Sequence, residues 1–296
     1  MLEFDHVSKH FGTKPALTDL TFTVQPGQLF GFCGANGAGK TTAMRIALGV
    51  LDADHGTVRW RGVPVDDESR RRIGYMPEER GLYAKMRPRD QLVYFARLGG
   101  VPTAVARRRA DEWIERLGVT MTPTDTLERL SLGNQQRIQL IAALIHDPQV
   151  LILDEPFSGL DPVAVDAMAQ ALTEFAARGV PVVFSSHQLE LVERLCDRVG
   201  ILAQGRLVAE GTVEELRAAD GQSRLRICVT GAPPGWEERL PGARPIGREG
   251  GTVTVSLAER ASARQVLAAA QSMGELEHFS WHQPTLAEVF RKSVAP

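Results

Sequence analysis

GANGAGKTT, residues 34–42, packs three glycines, a lysine and two threonines into nine positions. The run before it, QLFGFC (Gln28 to Cys33), is short, apolar and aromatic and follows QPGQ, which predicts a strand. The run after it, KTTAMRIALGV, places Met44, Ala47 and Leu48 at helical spacing. The glycines therefore join a strand to a helix. In that setting Gly34, Ala35, Asn36, Gly37, Ala38, Gly39, Lys40, Thr41 and Thr42 read as a phosphate-binding loop rather than as a plain glycine-rich turn. Glycines let successive backbone N–H groups turn inward, and the helix N-terminus adds positive potential. Lys40 supplies a point charge, and the Thr41 hydroxyl can ligate Mg2+. The motif points to a nucleoside triphosphate and does not say what its phosphate is spent on.

VLILDEP (Val150 to Pro156) is an unbroken apolar run ending in two carboxylates, the pattern of a parallel strand buried on both faces. Chemically useful groups belong at the carboxyl end of such a strand. Asp154 is placed there to hold Mg2+, and Glu155 to orient or deprotonate the attacking water; an acidic turn that merely caps a core strand is the alternative. PVVFSSHQ (Pro181 to Gln188) is another expected buried strand, with His187 at its end as a candidate contact to the γ-phosphate and the attacking water. Between socket and acidic strand lies LSLGNQQRIQLIAALIHDP. Ser131 is a good N-cap, and Ile138, Ile141, Ala142 and Ile145 follow at i, i+3, i+4 and i+7 until Asp147 and Pro148 stop the helix. A second polar helix N-terminus is useful only if an anion reaches it, and the chain already has one phosphate loop. That anion is expected to be bound to another copy of the chain.

In their order these motifs resemble the ATP-binding cassette (ABC) family, specifically the nucleotide-binding subunit of a membrane transporter, over about residues 1–218. The resemblance implies an α/β P-loop NTPase fold with a helical subdomain, ATP and Mg2+ as cofactors, and ATP hydrolysis as the activity. Residues 34–41 match its Walker A loop, LILDE its Walker B strand with Glu155 as catalytic carboxylate, and His187 its switch histidine, with Lys40 sharing the catalytic role. SGLD (Ser158 to Asp161) matches its D-loop; Asp161 is also a candidate N-cap, with Pro162 at the first helical position. Phe11 falls where the family places an aromatic on adenine, with a strand-core role as the alternative. Two departures stand out. Where the family has Leu-Ser-Gly-Gly-Gln, this chain has Leu130, Ser131, Leu132, Gly133 and Asn134, which keeps the pair Ser131 and Gly133 and adds bulk at Leu132. Where the family has a magnesium-touching Gln, IGYMPEERGLY (Ile73 to Tyr83) has Glu78, of equal length but charged. GYMPEERGLY and PTLAEVF (Pro284 to Phe290) look like the sodium- and drug-exporting subgroup.

The resemblance implies an integral-membrane permease as partner and a homodimer of nucleotide-binding subunits, with the chain peripheral on the inner face of the membrane. The alternative is a soluble cassette ATPase not coupled to transport. With 34 basic and 36 acidic residues among 296, no bulk charge argues for nucleic acid as a partner. The RRR runs at Arg70 and Arg107 read as solvated helix faces. The opening MLEFDHVSKHF lacks a signal-peptide layout, and no apolar run approaches the roughly 20 residues a bilayer span needs, so a cytosolic chain held at a membrane by something else is expected. Cys33, Cys196 and Cys228, far apart and without metal-ligand spacing, are expected to be buried, reduced thiols.

The domain reading is an ATPase domain over 1–219, with its helical subdomain at about 81–146, a linker at 220–223, and a small α+β accessory module over 220–296. Two helical patterns ended by glycine fill the subdomain, PRDQLVYFARLGG and AVARRRADEWIERLG. In the module, RLRICVT and TVTVSLA alternate as half-exposed strands, Val266 to Met273 suggests a helix, and Thr285 with Glu288 a capping box. A capping box from Thr212 to Glu215 opens the helix before the linker. Every chemical motif precedes residue 220. A chain truncated after Ala219 should accordingly still bind ATP in an equilibrium titration; a folded truncation that fails to bind would give the module a part in the site.

Overall fold

The computed structural model describes residues 1–79, 81–219, 221, 223–258 and 262–294, and these group into two compact units, Met1–Val213 together with Ser293 and Val294, and Glu214–Lys292. The linker expected at 220–223 falls partly outside the described residues, as does Arg80 of the GYMPEERGLY stretch. In the first unit the chain runs β1 (Leu2–Phe11), β2 (Lys14–Val24), β3 (Leu29–Gly34), α1 (Lys40–Ala47), β4 (His55–Trp60), β5 (Val63–Pro64), α2 (Asp67–Arg70) and β6 (Ile73–Met76). It continues through α3 (Pro88–Leu98), α4 (Thr103–Arg116), α5 (Leu132–Leu144), β7 (Val150–Leu153), α6 (Pro162–Ala177), β8 (Val182–Ser186), α7 (Leu189–Leu195), β9 (Arg198–Ala203) and β10 (Arg206–Gly211).

The central sheet has the order β10-β9-β3-β8-β7-β6, parallel throughout except for the edge strand β10. All residues of β3, β7 and β8 are buried, as strands covered on both faces require. A second, antiparallel sheet, β2-β1-β4-β5, shares one hydrophobic core with it. Phe22 of β2 is the hinge of that core. Its ring stacks on Phe4 at 4.3 Å and on Phe30 and Phe32 of β3 at 5.0 and 5.4 Å between centroids, so one side chain joins both sheets. Where β6 passes α5, Gly74 leaves room for helix backbone: a Cβ there would stand 2.3 Å from the Ala143 carbonyl oxygen.

The two glycine-ended patterns form α3 and α4, which pack with α5. Pro88 opens α3, and the fully buried Gln91 accepts from the Tyr83 N–H (2.9 Å) and donates to the Tyr83 and Met86 carbonyls, stapling the loop before the helix. Arg107 and Arg108 are exposed as expected, whereas Arg109 is half-buried and donates to the Ile145 carbonyl. One cysteine expectation holds and two need correction. Cys33 is buried, and burial pushes its thiol up to about 12. Cys196, at the C-cap of α7, is only partly covered as a residue although burial raises its thiol too, and Cys228 is partly covered because it lies on the face of the strand Arg224–Thr230 away from the core.

The second unit takes in most of α8 (Val213–Ala218), followed by β11 (Arg224–Thr230), β12 (Ala243–Glu249), β13 (Thr252–Leu257), α9 (Ala263–Met273), β14 (Glu275–His282) and α10 (Leu286–Val294). Its antiparallel sheet, β12-β13-β11-β14, presents Leu225, Ile227, Val253 and Val255 to Val266 and Ala270 of α9. The alternation read in the sequence is what sorts those faces. The Thr285–Glu288 capping box is formed: the Glu288 N–H donates to Thr285 Oγ1 (3.2 Å) and the Thr285 N–H to Glu288 Oε2 (3.3 Å). Among the described residues no helix is long and apolar enough to cross a membrane.

Phe22→Ala should lower the stability of the first unit by about 3–5 kcal/mol, the usual cost of emptying a buried aromatic site. Urea denaturation followed by tryptophan fluorescence measures it, and a loss under 1 kcal/mol would show that the two sheets are joined elsewhere.

Candidate nucleotide site

The site is built at the carboxyl ends of β3, β7 and β8. β3 runs into the glycine loop, whose Gly37 and Gly39 have φ of 79° and 111°, values that L side chains rarely adopt. At Gly39 space is restricted as well, since a Cβ would meet the Ala16 carbonyl oxygen at 2.6 Å. Gly39 occupies the N-cap of α1 without a side-chain cap, and no acidic residue lies in the first turn. The first N–H groups of the helix thus face the loop with their positive end uncompensated. Lys40 is 7 % exposed, and its Nζ donates back across the loop to the Gly34 carbonyl at 2.6 Å.

Two strands away in the sheet, β7 delivers Asp154 and Glu155. Asp154 is 1 % exposed and its two oxygens are both engaged, Oδ2 by the Thr41 hydroxyl (2.7 Å) and Oδ1 by the Ser185 hydroxyl (2.5 Å). Ser185 also accepts from the Glu155 N–H at 2.8 Å. The Glu155 backbone is left-handed, φ 49°, a conformation that costs a non-glycine residue about 1–3 kcal/mol. Gln136 of α5 helps hold it there, donating to the Glu155 and Pro156 carbonyls at 3.1 and 3.0 Å. The Glu155 carboxylate meets His187 Nδ1 at 2.9 Å. Burial raises the Glu155 pKa above its ordinary value, opposed by His187 and Lys40. A carboxylate made more basic while directed at an imidazole can take a proton from water.

One cleft of about 400 Å³ is lined by Phe11, Lys14, Asn36, Gly37, Gly39, Lys40, Thr41, Thr42, Glu78, Asp154 and Glu155, with Ala16. Phe11 is 55 % exposed at the end of β1, so it offers a ring face to the cleft and is not a core aromatic. Ala35 is exposed on the loop and Ala38 buried beneath it; neither lines the cleft. Ser131, Gly133 and Asn134 do not line it either. Ser131 caps α5, accepting from the Asn134 N–H at 3.3 Å, and the Asn134 amide donates to the Thr120 carbonyl at 3.0 Å. Asp161 caps α6, accepting from the Ala164 N–H at 2.9 Å, with Pro162 at the first helical position. The residues present fit a polyphosphate with a hard cation: a glycine cradle too tight for a Cβ, a buried lysine, and a hydroxyl and carboxylates as the oxygen donors such a cation takes.

Three residues in this architecture were not singled out from sequence: Ser185, Gln136 and Gln139. A signal existed for each. The two serines of VVFSS are polar residues inside a fully buried strand, and Gln136 and Gln139 lie one turn apart on the buried side of α5.

The family model described as ABC transporter matches residues 17–158, and that described as ATP-binding protein DrrA1-3-like, C-terminal domain, matches residues 211–294. The uncharacterized ABC transporter ATP-binding protein YhaQ of Bacillus subtilis is 39 % identical over 99 % of this chain and 98 % of its own length. The chain belongs to the ATP-binding subunits of ABC transporters. It is an ATPase of that family. The Nod factor export ATP-binding protein I of Paraburkholderia xenovorans is 37 % identical over 74 % of this chain and 73 % of that one. A solved ATP-binding subunit of an ABC transporter superposes with a TM-score of 0.70 at 30 % identity, over 75 % of this chain and 93 % of that chain.

In this ABC ATPase, Glu155→Gln should retain ATP binding and lose hydrolysis by about 10²–10⁴-fold, the usual contribution of a general base. It should also melt higher than the wild type at neutral pH. A carboxyl whose folded pKa is raised contributes stability that is fully present below its unfolded pKa and lost as pH rises through the folded value, whereas Gln does not titrate. Thermal unfolding from pH 4 to pH 8 should therefore show the gap between the variants opening with pH, and a gap that closes instead would overturn the burial argument.

Proposed function

We propose that this ABC ATPase energises a separate integral-membrane permease, as an exporter, from the inner face of the membrane. A transporter-type relative matches it over 99 % of its length, and its C-terminal unit matches a DrrA1-3-like model, both of which support a transport role over a free-standing soluble ATPase. The observation that carries the mechanism is the separation of Ser131 and Gly133 from the cleft that holds Lys40. One chain has a phosphate loop and, elsewhere, a second polar helix start. Two copies facing each other would supply each ATP with both.

In that arrangement Phe11 stacks on adenine and the glycine loop, with Lys40 and Thr42, takes the phosphates. Thr41, Asp154 and Glu78 would hold Mg2+, which when bound neutralises charge developing on the phosphoryl oxygens. Glu155 accepts the proton of the attacking water, and His187 holds that carboxylate and contacts the γ-phosphate. Ser131, Gly133 and Asn134 at the start of α5, with Asp161 at the start of α6, face the other copy. Hydrolysis removes the anion that the two copies share, and the pair reopens. The helical subdomain over about 81–146 docks the permease, and the accessory module plays no part in nucleotide chemistry.

Glu78→Gln keeps an oxygen near the cation, so ATP binding and coupling should both survive. Glu78→Ala should still bind ATP, which rests on the glycine loop, Lys40 and Phe11, yet lose most permease-stimulated hydrolysis and flux, about 10-fold or more. Reconstitution of each variant with the permease, with binding, ATPase stimulation and substrate flux measured in parallel, tests this. Flux like that of wild type in Glu78→Ala would make the residue a surface charge only.

A further inference from the structure

Gln139 lies on α5 two turns beyond Ser131 and is 3 % exposed. Its Nε2 donates to the Pro77 carbonyl at 2.6 Å and to the Glu79 carbonyl at 3.3 Å, the two carbonyls that bracket Glu78. Two acceptors on one side of the amide fix its orientation, because the reverse would set oxygen against oxygen. The amide oxygen is left buried with no hydrogen-bond partner, a cost tolerated for the sake of the donor contacts. One turn earlier on the same face, Gln136 grips the loop of Glu155 in the same way. A single helix thus holds the backbone on both acidic sides of the cleft.

We propose that Gln139 is a positioning residue for the cation site, acting through Glu78. This rests on the reading above in which Glu78 faces Mg2+. The Glu78 side chain is exposed at the cleft rim, so the reach of its carboxylate is set by the backbone on either side, and Gln139 fixes that backbone to α5. Since α5 begins at Ser131, the cation-side loop and the helix start offered to the second copy move as one piece.

The test is a Mg2+ titration of the full chain, read both by the fluorescence of a bound trinitrophenyl-ATP probe and by hydrolysis. Gln139→Met keeps length and packing and removes the donor; Gln139→Glu keeps shape and replaces the donor by a carboxylate. Each should raise the Mg2+ midpoint by about 10-fold, the scale on which outer-shell partners act, with probe affinity in EDTA unchanged. Unchanged EDTA binding also reports that the variant is folded. Combined with Glu78→Ala, Gln139→Met should add nothing further, because its effect runs through that side chain. If Gln139→Met and Gln139→Glu titrate like wild type while Glu78→Ala is shifted, the positioning role is overturned and Glu78 keeps its place. If Glu78→Ala titrates like wild type, the Glu78 reading fails and takes this route with it. A double variant weaker than Glu78→Ala alone would show that Gln139 acts elsewhere.

Discussion

The whole site hangs on one buried carboxylate. Asp154, 1 % exposed, would be a prohibitive charge in this position without the Thr41 and Ser185 hydroxyls. Those two contacts tie together the strand that carries the acids, the helix that begins at the phosphate loop, and the strand between them. Strand order makes the bridge necessary. β3 and β7 do not touch, because β8 lies between, so phosphate loop and acids start about 10 Å apart at the usual strand spacing. The Thr41 hydroxyl closes that gap directly on Asp154, and Ser185 of the intervening β8 holds the other carboxylate oxygen.

How far this was readable from sequence depended on whether local chemistry or long-range pairing did the work. The glycine loop, the caps at Ser131 and Asp161, and the box at Thr285 depend on residues a few positions apart, and all four formed. The buried strands were legible as continuous apolar runs. Strand order was not legible, and with it went Ser185, whose role exists because β8 lies beside β7. Gln136 and Gln139 were hidden differently. Attention to Ile138, Ile141 and Ile145 identifies the helix, but the polar side chains between them are the ones that reach other loops. The strands β12 and β14 escaped because their burial barely alternates, Pro245 lying in one and an exposed Trp281 in the other.

The same geometry explains why the departures from the family pattern sit where they do. Leu132 is 60 % exposed beside the Ser131 cap, so its bulk is accommodated within the chain without disturbing α5. Asn134 loses a methylene relative to Gln and spends its amide on the Thr120 backbone, a contact within the chain. Glu78 lines the cleft from a loop whose backbone is held by an uncharged amide, so its charge is offset by nothing that Gln139 carries.

Glu155 shows what the arrangement costs. Its left-handed backbone and the raised pKa of its buried carboxyl are both unfavourable to the fold; the first is held by hydrogen bonds from neighbouring elements and the second is caused by burial. The Ser185 hydroxyl and the Gln136 amide fix the backbone, while His187 and Lys40 act against the burial that raises the pKa. A glycine at 155 would relieve the strain and remove the carboxylate. A more exposed glutamate would ionise freely and be a weaker one. Among the residues that line the cleft, left-handed backbone in a non-glycine residue falls on Glu155, and the hydrogen bonds that hold it there come from Ser185 of β8 and Gln136 of α5.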